Sequence, residues 1–80
     1  MPSPSKSPSP TLLALGARIR ARRSELGWSQ EQAAHECGVH WTYLGQVERG
    51  QRSPRVENVL KLAAGLHTTP GHLLDGLPQY

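Results

Sequence analysis

The sequence predicts an all-α fold of five helices packed as one compact domain, and three observations predict it. Between successive turn signals the apolar residues recur at helical spacing. Ser29, Ser53-Pro54 and Thr69-Pro70 each read as a helix start, with a capping hydroxyl or a proline at the first helical position. No stretch alternates apolar and polar residues as a half-buried strand would.

Residues 1 to 10 hold only Pro, Ser and one Lys after the initiator Met, so they offer nothing to bury against the entropy of ordering. They are expected to form an N-terminal arm, either simply flexible or, through Lys6, in reach of phosphate or a minor groove. Helix 1 is expected from about Thr11 to Leu26, with Leu12, Leu15, Ile19 and Leu26 on one side and Gly27 as its stop. The same projection puts Arg23 inside the apolar stripe, where an arginine needs an acidic partner. Arg18, Arg20 and Arg22 fall on the flanks or beyond, as either a phosphate-binding edge or a solvated face.

Ser29 followed by Gln32 forms a capping box, so helix 2 is expected from Gln30 to Gly38. Ala33, Ala34 and Cys37 give it a small-residue inner face that lets the next helix cross closely, with Val39 plugging the turn. Helix 3, about His40 to Arg49, turns Leu44 and Val47 inward with Glu48 at the inner edge, and carries Thr42, Gln46 and Arg49 on the opposite side beside Gly45. Gly50 ends it. Helix 4 is expected to start at Pro54 behind Ser53 and to bury Val56, Val59, Leu60, Ala63 and Leu66. A short helix 5 follows Thr69-Pro70, contains Leu73 and Leu74, and stops before Gly76. The domain is thus expected over 11–77, with 78–80 as a tail.

An 80-residue chain allows one small domain and too little interior for a buried active-site cavity. Nine Lys and Arg, seven of them Arg, against six Asp and Glu give a net charge of +3, which favours an acidic partner such as nucleic acid. A single cysteine excludes an internal disulfide and fits a reducing compartment. The apolar run Leu12-Leu13-Ala14-Leu15 is too short for a secretory signal or a membrane span, so the expectation is a cytoplasmic chain with no membrane partner. Nucleophile elbow, phosphate-cradling glycine loop and convergent carboxylate pair are all missing from the sequence, so it is read as no enzyme, with no cofactor and no metal. His35, Cys37 and His40 raise a metal site only to weaken it, since residues two apart on a helix point in different directions. The other reading is a buried cysteine and two surface histidines.

The stretch Ser29 to Arg49 therefore reads as a capped helix, a glycine turn and a second helix, the helix-turn-helix that lays its second helix in the DNA major groove. With its flanks it resembles the family of lambdoid phage repressors, Cro proteins and xenobiotic-response-element-type regulators. The resemblance rests on Leu15-Gly16-Ala17-Arg18-Ile19-Arg20, Arg23, Gly27-Trp28-Ser29-Gln30, Gly38-Val39, Val47-Glu48-Arg49-Gly50, Pro54 and His72-Leu73-Leu74, in the family's order and spacing. Within it, Trp41-Thr42-Tyr43-Leu44, the Val47 to Gly50 segment and Arg52 look most like controller proteins of restriction-modification systems.

The resemblance implies a lambda-repressor-like DNA-binding fold and a sequence-specific transcriptional regulator that binds operator or promoter DNA as a homodimer, with RNA polymerase as a further candidate partner. It also implies a buried structural ion pair between Arg23 and Glu48, in agreement with the helical projection. By the same carry-over, Gln30 contacts a phosphate at the start of helix 2. Trp41, Thr42 and Gln46 are the base-reading positions, Tyr43 and Arg49 lie near the backbone, and Arg52 reaches phosphate or a base edge. Gln46 can pair with adenine and Arg52 with guanine. Trp41 stands where a polar or basic reader is usual, so it either packs against thymine methyls or folds over Gly45. His67, where glycine is common, and Thr68 depart from the pattern before helix 5. Leu73, Leu74 and Leu77 either form the dimer interface, which sets two recognition helices about 34 Å apart on a near-palindromic site, or close the core of the single chain. A reading from another class, an antitoxin-like or protein-interaction module that uses the same fold to bind a partner chain, also fits this sequence.

Overall fold

Each helix tends to start where a side chain can take over an amide that the first turn leaves without a partner. In the computed structural model, which describes residues 9–79, α1 (Pro10–Glu25) begins behind Ser9, whose hydroxyl accepts the Leu12 N–H at 2.9 Å. Ser29 does the same for α2 (Gln30–Cys37) by accepting from the Gln32 N–H at 3.1 Å. His40 heads α3 (Trp41–Glu48), its Nδ1 accepting the Thr42 N–H at 3.1 Å. Thr69 heads α5 (Pro70–Leu74) and accepts from the His72 N–H at 3.1 Å.

The remaining helix, α4 (Val56–Gly65), departs from expectation. Its N-cap is Arg55, extended at φ −69° and ψ 160°, with no side-chain cap bond, so the helix starts two residues after Pro54 and Ser53 caps nothing. The core list differs as well. Val59, Leu62, Ala63 and Leu66 are buried, whereas Val56 is 74 % and Leu60 51 % exposed. At 100° per residue Leu62 lies close to the Val59, Ala63 and Leu66 line and Leu60 points well off it. The start of α1 differs more modestly: Ser9 and Pro10 belong to the helix and its cap. The arm expected over 1–10 otherwise lies outside the described residues, as does Tyr80. Thr11 Oγ1 donates to the Pro78 carbonyl, so the expected tail is tied back to α1 through its first residue.

The core gathers Leu15 and Ile19 of α1, Ala33, Ala34 and Cys37 of α2, Leu44 and Val47 of α3, Leu62, Ala63 and Leu66 of α4, and Leu73 of α5. Two glycines set how closely the helices cross. A Cβ on Gly16 would lie 2.4 Å from the Glu48 carbonyl oxygen, so α1 rests on the backbone of α3. A Cβ on Gly65 would lie 2.5 Å from the Cys37 Cα, so α4 as well as α3 uses the small face of α2.

The turn between α2 and α3 closes by two backbone bonds, Gly38 N–H to the His35 carbonyl at 3.2 Å and Val39 N–H to the Ala34 carbonyl at 3.0 Å, with Gly38 at φ 71°. The same pair of bonds ends α4, where the left-handed residue is His67 at φ 57°. A histidine holds that conformation with outside help. Its ring meets Trp28 edge-on at 5.7 Å, and Arg22 Nη2 donates to its carbonyl at 2.9 Å.

Arg22 also donates to the Leu66 carbonyl at 2.8 Å, and Arg18 donates to the carbonyls of Leu73 at 3.0 Å and Asp75 at 2.6 Å. Both arginines thus bind the carboxyl ends of α4 and α5, where unpaired carbonyls and the helix dipole favour a cation. Of the three arginines weighed as a phosphate edge, Arg20 alone is fully exposed.

Cys37 points inward, Sγ 3.7 Å from the Leu62 carbonyl oxygen, and burial, with a smaller contribution from Glu36, pushes its pKa up to about 11 from 9.0. Above pH 9 the unfolded chain releases this proton while the folded chain keeps it, so stability is lost as the pH climbs from about 9 to about 11. Melting curves taken across that range should fall more steeply for the native chain than for Cys37→Ala. Parallel slopes would place the thiol in water.

Candidate nucleic-acid interface

Beside the core residues Leu44 and Val47, one carboxylate ties α3 to its neighbours. Glu48, at the last turn of α3, has its side chain 2 % exposed. It is reached by Arg23 of α1 through two bonds, Nε to Oε2 at 2.7 Å and Nη2 to Oε1 at 3.0 Å. Gln30 Nε2 at the start of α2 adds a third donor to Oε1 at 2.9 Å, and Arg23 Nη1 reaches the Trp28 carbonyl at 3.0 Å. The hydrogen bond and charge of Glu48 raise the Arg23 pKa further above its ordinary value, against desolvation. Among the described residues no buried side-chain nitrogen or oxygen is left without a partner. The acid that the helical projection asks for beside Arg23 is Glu48, the partner that the resemblance implies, and the α1, α2 and α3 helices meet on this pair.

This network also places Gln30. Its amide nitrogen turns inward to Glu48, while its Oε1 lies 3.4 Å from where a Gly45 Cβ would sit. Arg49 Nη1 covers the same spot at 3.1 Å. The space over Gly45 is therefore taken by Gln30 and Arg49 rather than by Trp41, which is 52 % exposed at the start of α3.

With Leu44, Val47 and Glu48 turned inward, α3 presents Thr42, Gln46 and Arg49 on its other side. Arg52 folds back onto that face from the following loop, its Nη1 donating to Gln46 Oε1 at 2.9 Å and its guanidinium 5.4 Å from the centre of the Tyr43 ring. Arg49 Nε donates to Gln51 Oε1 at 3.2 Å. Arg49, Arg52 and Arg55 are all exposed, so the end of α3 and the loop after it form a cationic rim around a polar face. Such a surface can give N–H groups to phosphates and to base edges.

Sequence reasoning missed two residues here. Asn58 of α4 donates from Nδ2 to Tyr43 Oη at 3.0 Å, and Arg55 stands at the uncapped start of the same helix. With Tyr43 and Arg52 they line a shallow hollow. A helix starting at Pro54 puts Arg55 on a turn that it does not occupy, and no local signal marks the Asn58 bond to Tyr43, which joins residues fifteen apart.

The remaining predicted residues lie apart from this face. Leu73 is fully buried in the core of the single chain, so it is not free to meet a second copy. Leu74 is 43 % exposed, and Leu77 is half-buried against the core. His40 uses Nδ1 for its cap and Cys37 lies inside, so the three residues weighed for a metal are not brought together.

Comparison with known proteins gives the same outline. The control protein C.BamHI of Bacillus amyloliquefaciens is 39 % identical over 64 residues, which are 79 % of each chain. Among solved structures, the restriction-modification controller protein C.AhdI from Aeromonas hydrophila superposes with a TM-score of 0.76 at 44 % identity, over 78 % of this chain and 94 % of that one. The P22 c2 repressor, of Salmonella phage P22, solved in complex with a synthetic operator, superposes with a TM-score of 0.72 at 39 % identity, over 78 % and 94 %. The family model described as helix-turn-helix matches residues 19–73, from the middle of α1 to α5. With that model matching more than half of its length, and with the helix-turn-helix of α2 and α3 in place, this chain belongs to the helix-turn-helix family.

Proposed function

We propose that this chain is a DNA-binding transcriptional regulator that lays α3 in the major groove and acts as a homodimer on a near-palindromic site. The observation that carries the reading is the outer face of α3, where Thr42 and Gln46 stand clear of the core inside the rim of Arg49, Arg52 and Arg55. The likeness to C.BamHI and C.AhdI supports a narrower role as a restriction-modification controller, and RNA polymerase is a further partner proposed for that role. Trp41, Thr42 and Gln46 are the base readers, while Tyr43 and Arg49 touch the backbone. Gln30, whose side-chain nitrogen is turned to Glu48, meets a phosphate through the backbone N–H groups at the start of α2. Exposed Leu74 and the edge of Leu77 are the apolar surface a second copy covers, which sets the two α3 helices about 34 Å apart.

Titration of labelled promoter DNA with the full chain tests this. Affinity should fall steeply with salt, and protection should cover two half-sites about one helical turn apart. Gln46→Ala should weaken the specific site about tenfold and random DNA hardly at all, the loss of one base contact. Equal loss on both duplexes, or no binding to either, would favour a module that recognises a partner protein.

A further inference from the structure

Gln46 and Arg52 do not act on the surface as independent side chains. Arg52 Nη1 donates to Gln46 Oε1 at 2.9 Å, Arg52 lies over the Tyr43 ring, and Tyr43 is held from α4 by Asn58 at 3.0 Å. A guanidinium has donors and no acceptor, so the amide atom facing it is necessarily the oxygen. The NH2 group of Gln46 is then the end left for another partner.

That orientation decides what the pair can read. A glutamine that takes adenine bidentately gives its NH2 to N7 and accepts the N6 amino group on its oxygen. Here the oxygen is already engaged by a cation. Its second lone pair remains, but the adjoining guanidinium would meet the amino hydrogens of adenine or cytosine donor against donor. Guanine alone shows two acceptors side by side in the major groove, N7 and O6, and both suit a surface made of N–H groups.

We infer that Gln46 and Arg52 form one composite reader of a guanine edge, with Tyr43 and Asn58 as positioning residues that keep Arg52 against Gln46. The inference rests on α3 being the DNA-reading element. Selection of duplexes from a random pool by the full chain tests it, the relevant base pair being the one whose preference disappears in Gln46→Ala. The native chain should select guanine there, and replacing that base by 7-deazaguanine, which lacks the N7 acceptor, should weaken binding on the order of tenfold. Arg52→Ala frees the amide oxygen and should turn the preference from guanine to adenine. Asn58→Ala should blur the guanine preference while leaving random-DNA affinity and the melting curve nearly unchanged, a split that a merely structural residue would not give.

Adenine selected by the native chain, or guanine retained in Arg52→Ala, overturns the composite reader. An Asn58→Ala chain with undiminished guanine preference removes the positioning role. If the folded native chain enriches no sequence at all, the DNA-recognition reading itself fails, and this inference with it.

Discussion

Glu48→Ala is expected to lower the melting temperature by about 12 to 24 °C, followed by circular dichroism. The substitution leaves the Arg23 guanidinium charged with only the Trp28 carbonyl as partner, and frees the Gln30 amide from its acceptor. Breaking a buried ion pair from one side costs about 3 to 5 kcal/mol. Arg23 keeps 15 % of its side chain exposed, so water reaches the stranded charge and the loss falls toward about 3 kcal/mol. At about 4 to 8 °C per kcal/mol for a domain of this size, that gives the stated range. Replacing both partners by apolar residues of similar volume, Arg23→Met with Glu48→Leu, should recover much of the loss, since the desolvation cost goes with the charges. A double variant as unstable as Glu48→Ala would mean that the packing of the carboxylate, not its charge, holds α3.

That pair was legible in two steps: an arginine inside an apolar stripe asks for an acid, and the family resemblance names Glu48, on the inner edge of α3, as that acid. Helix starts at Ser29 and Thr69 were legible for a similar reason: a cap depends on a few neighbouring residues. Ser53-Pro54 carries the same local signal, yet Arg55 is extended and the helix begins only at Val56. The exchange of Leu60 for Leu62 in the core has a separate cause, the phase of the helix, since at 100° per residue Leu62 falls nearer the line of Val59, Ala63 and Leu66 wherever the helix starts. Arg18 and Arg22 were ambiguous for a different cause. Their partners are carbonyls some forty to sixty residues away, and every residue has a carbonyl, so no side-chain type marks the contact. Of the outer face, Thr42, Gln46 and Arg49 could be placed by helical spacing alone. The Arg52 bond to Gln46 and the Asn58 bond to Tyr43 could not, because both depend on how the loop folds back between two helices.

Gly16→Ala should harm stability and DNA affinity together, although alanine is the better helix former. On an isolated helix the change is favourable by about 1 kcal/mol. Here the added methyl would sit 2.4 Å from the Glu48 carbonyl oxygen and 2.5 Å from that of Val47, and ordinary contact begins near 3.4 Å. Both obstacles are backbone atoms, so no rotamer change relieves them, and the helices must separate by about an ångström. Overpacking costs about 1 to 3 kcal/mol, and a clash with rigid backbone belongs at the upper end, which outweighs the propensity gain. We expect a net loss of about 2 kcal/mol, or a melting temperature lower by about 8 to 16 °C. Gly71→Ala is the control, since nothing lies within 4 Å of a Cβ there and the change should be neutral or stabilising by up to about 1 kcal/mol. The carbonyls that must move belong to the last turn of α3, which also carries Glu48 and leads into Arg49 and Arg52. An anisotropy titration at a temperature where the variant is fully folded should therefore still show weaker binding to the specific duplex. Native affinity under those conditions would mean that α1 holds α3 in place without setting where its reading face lies.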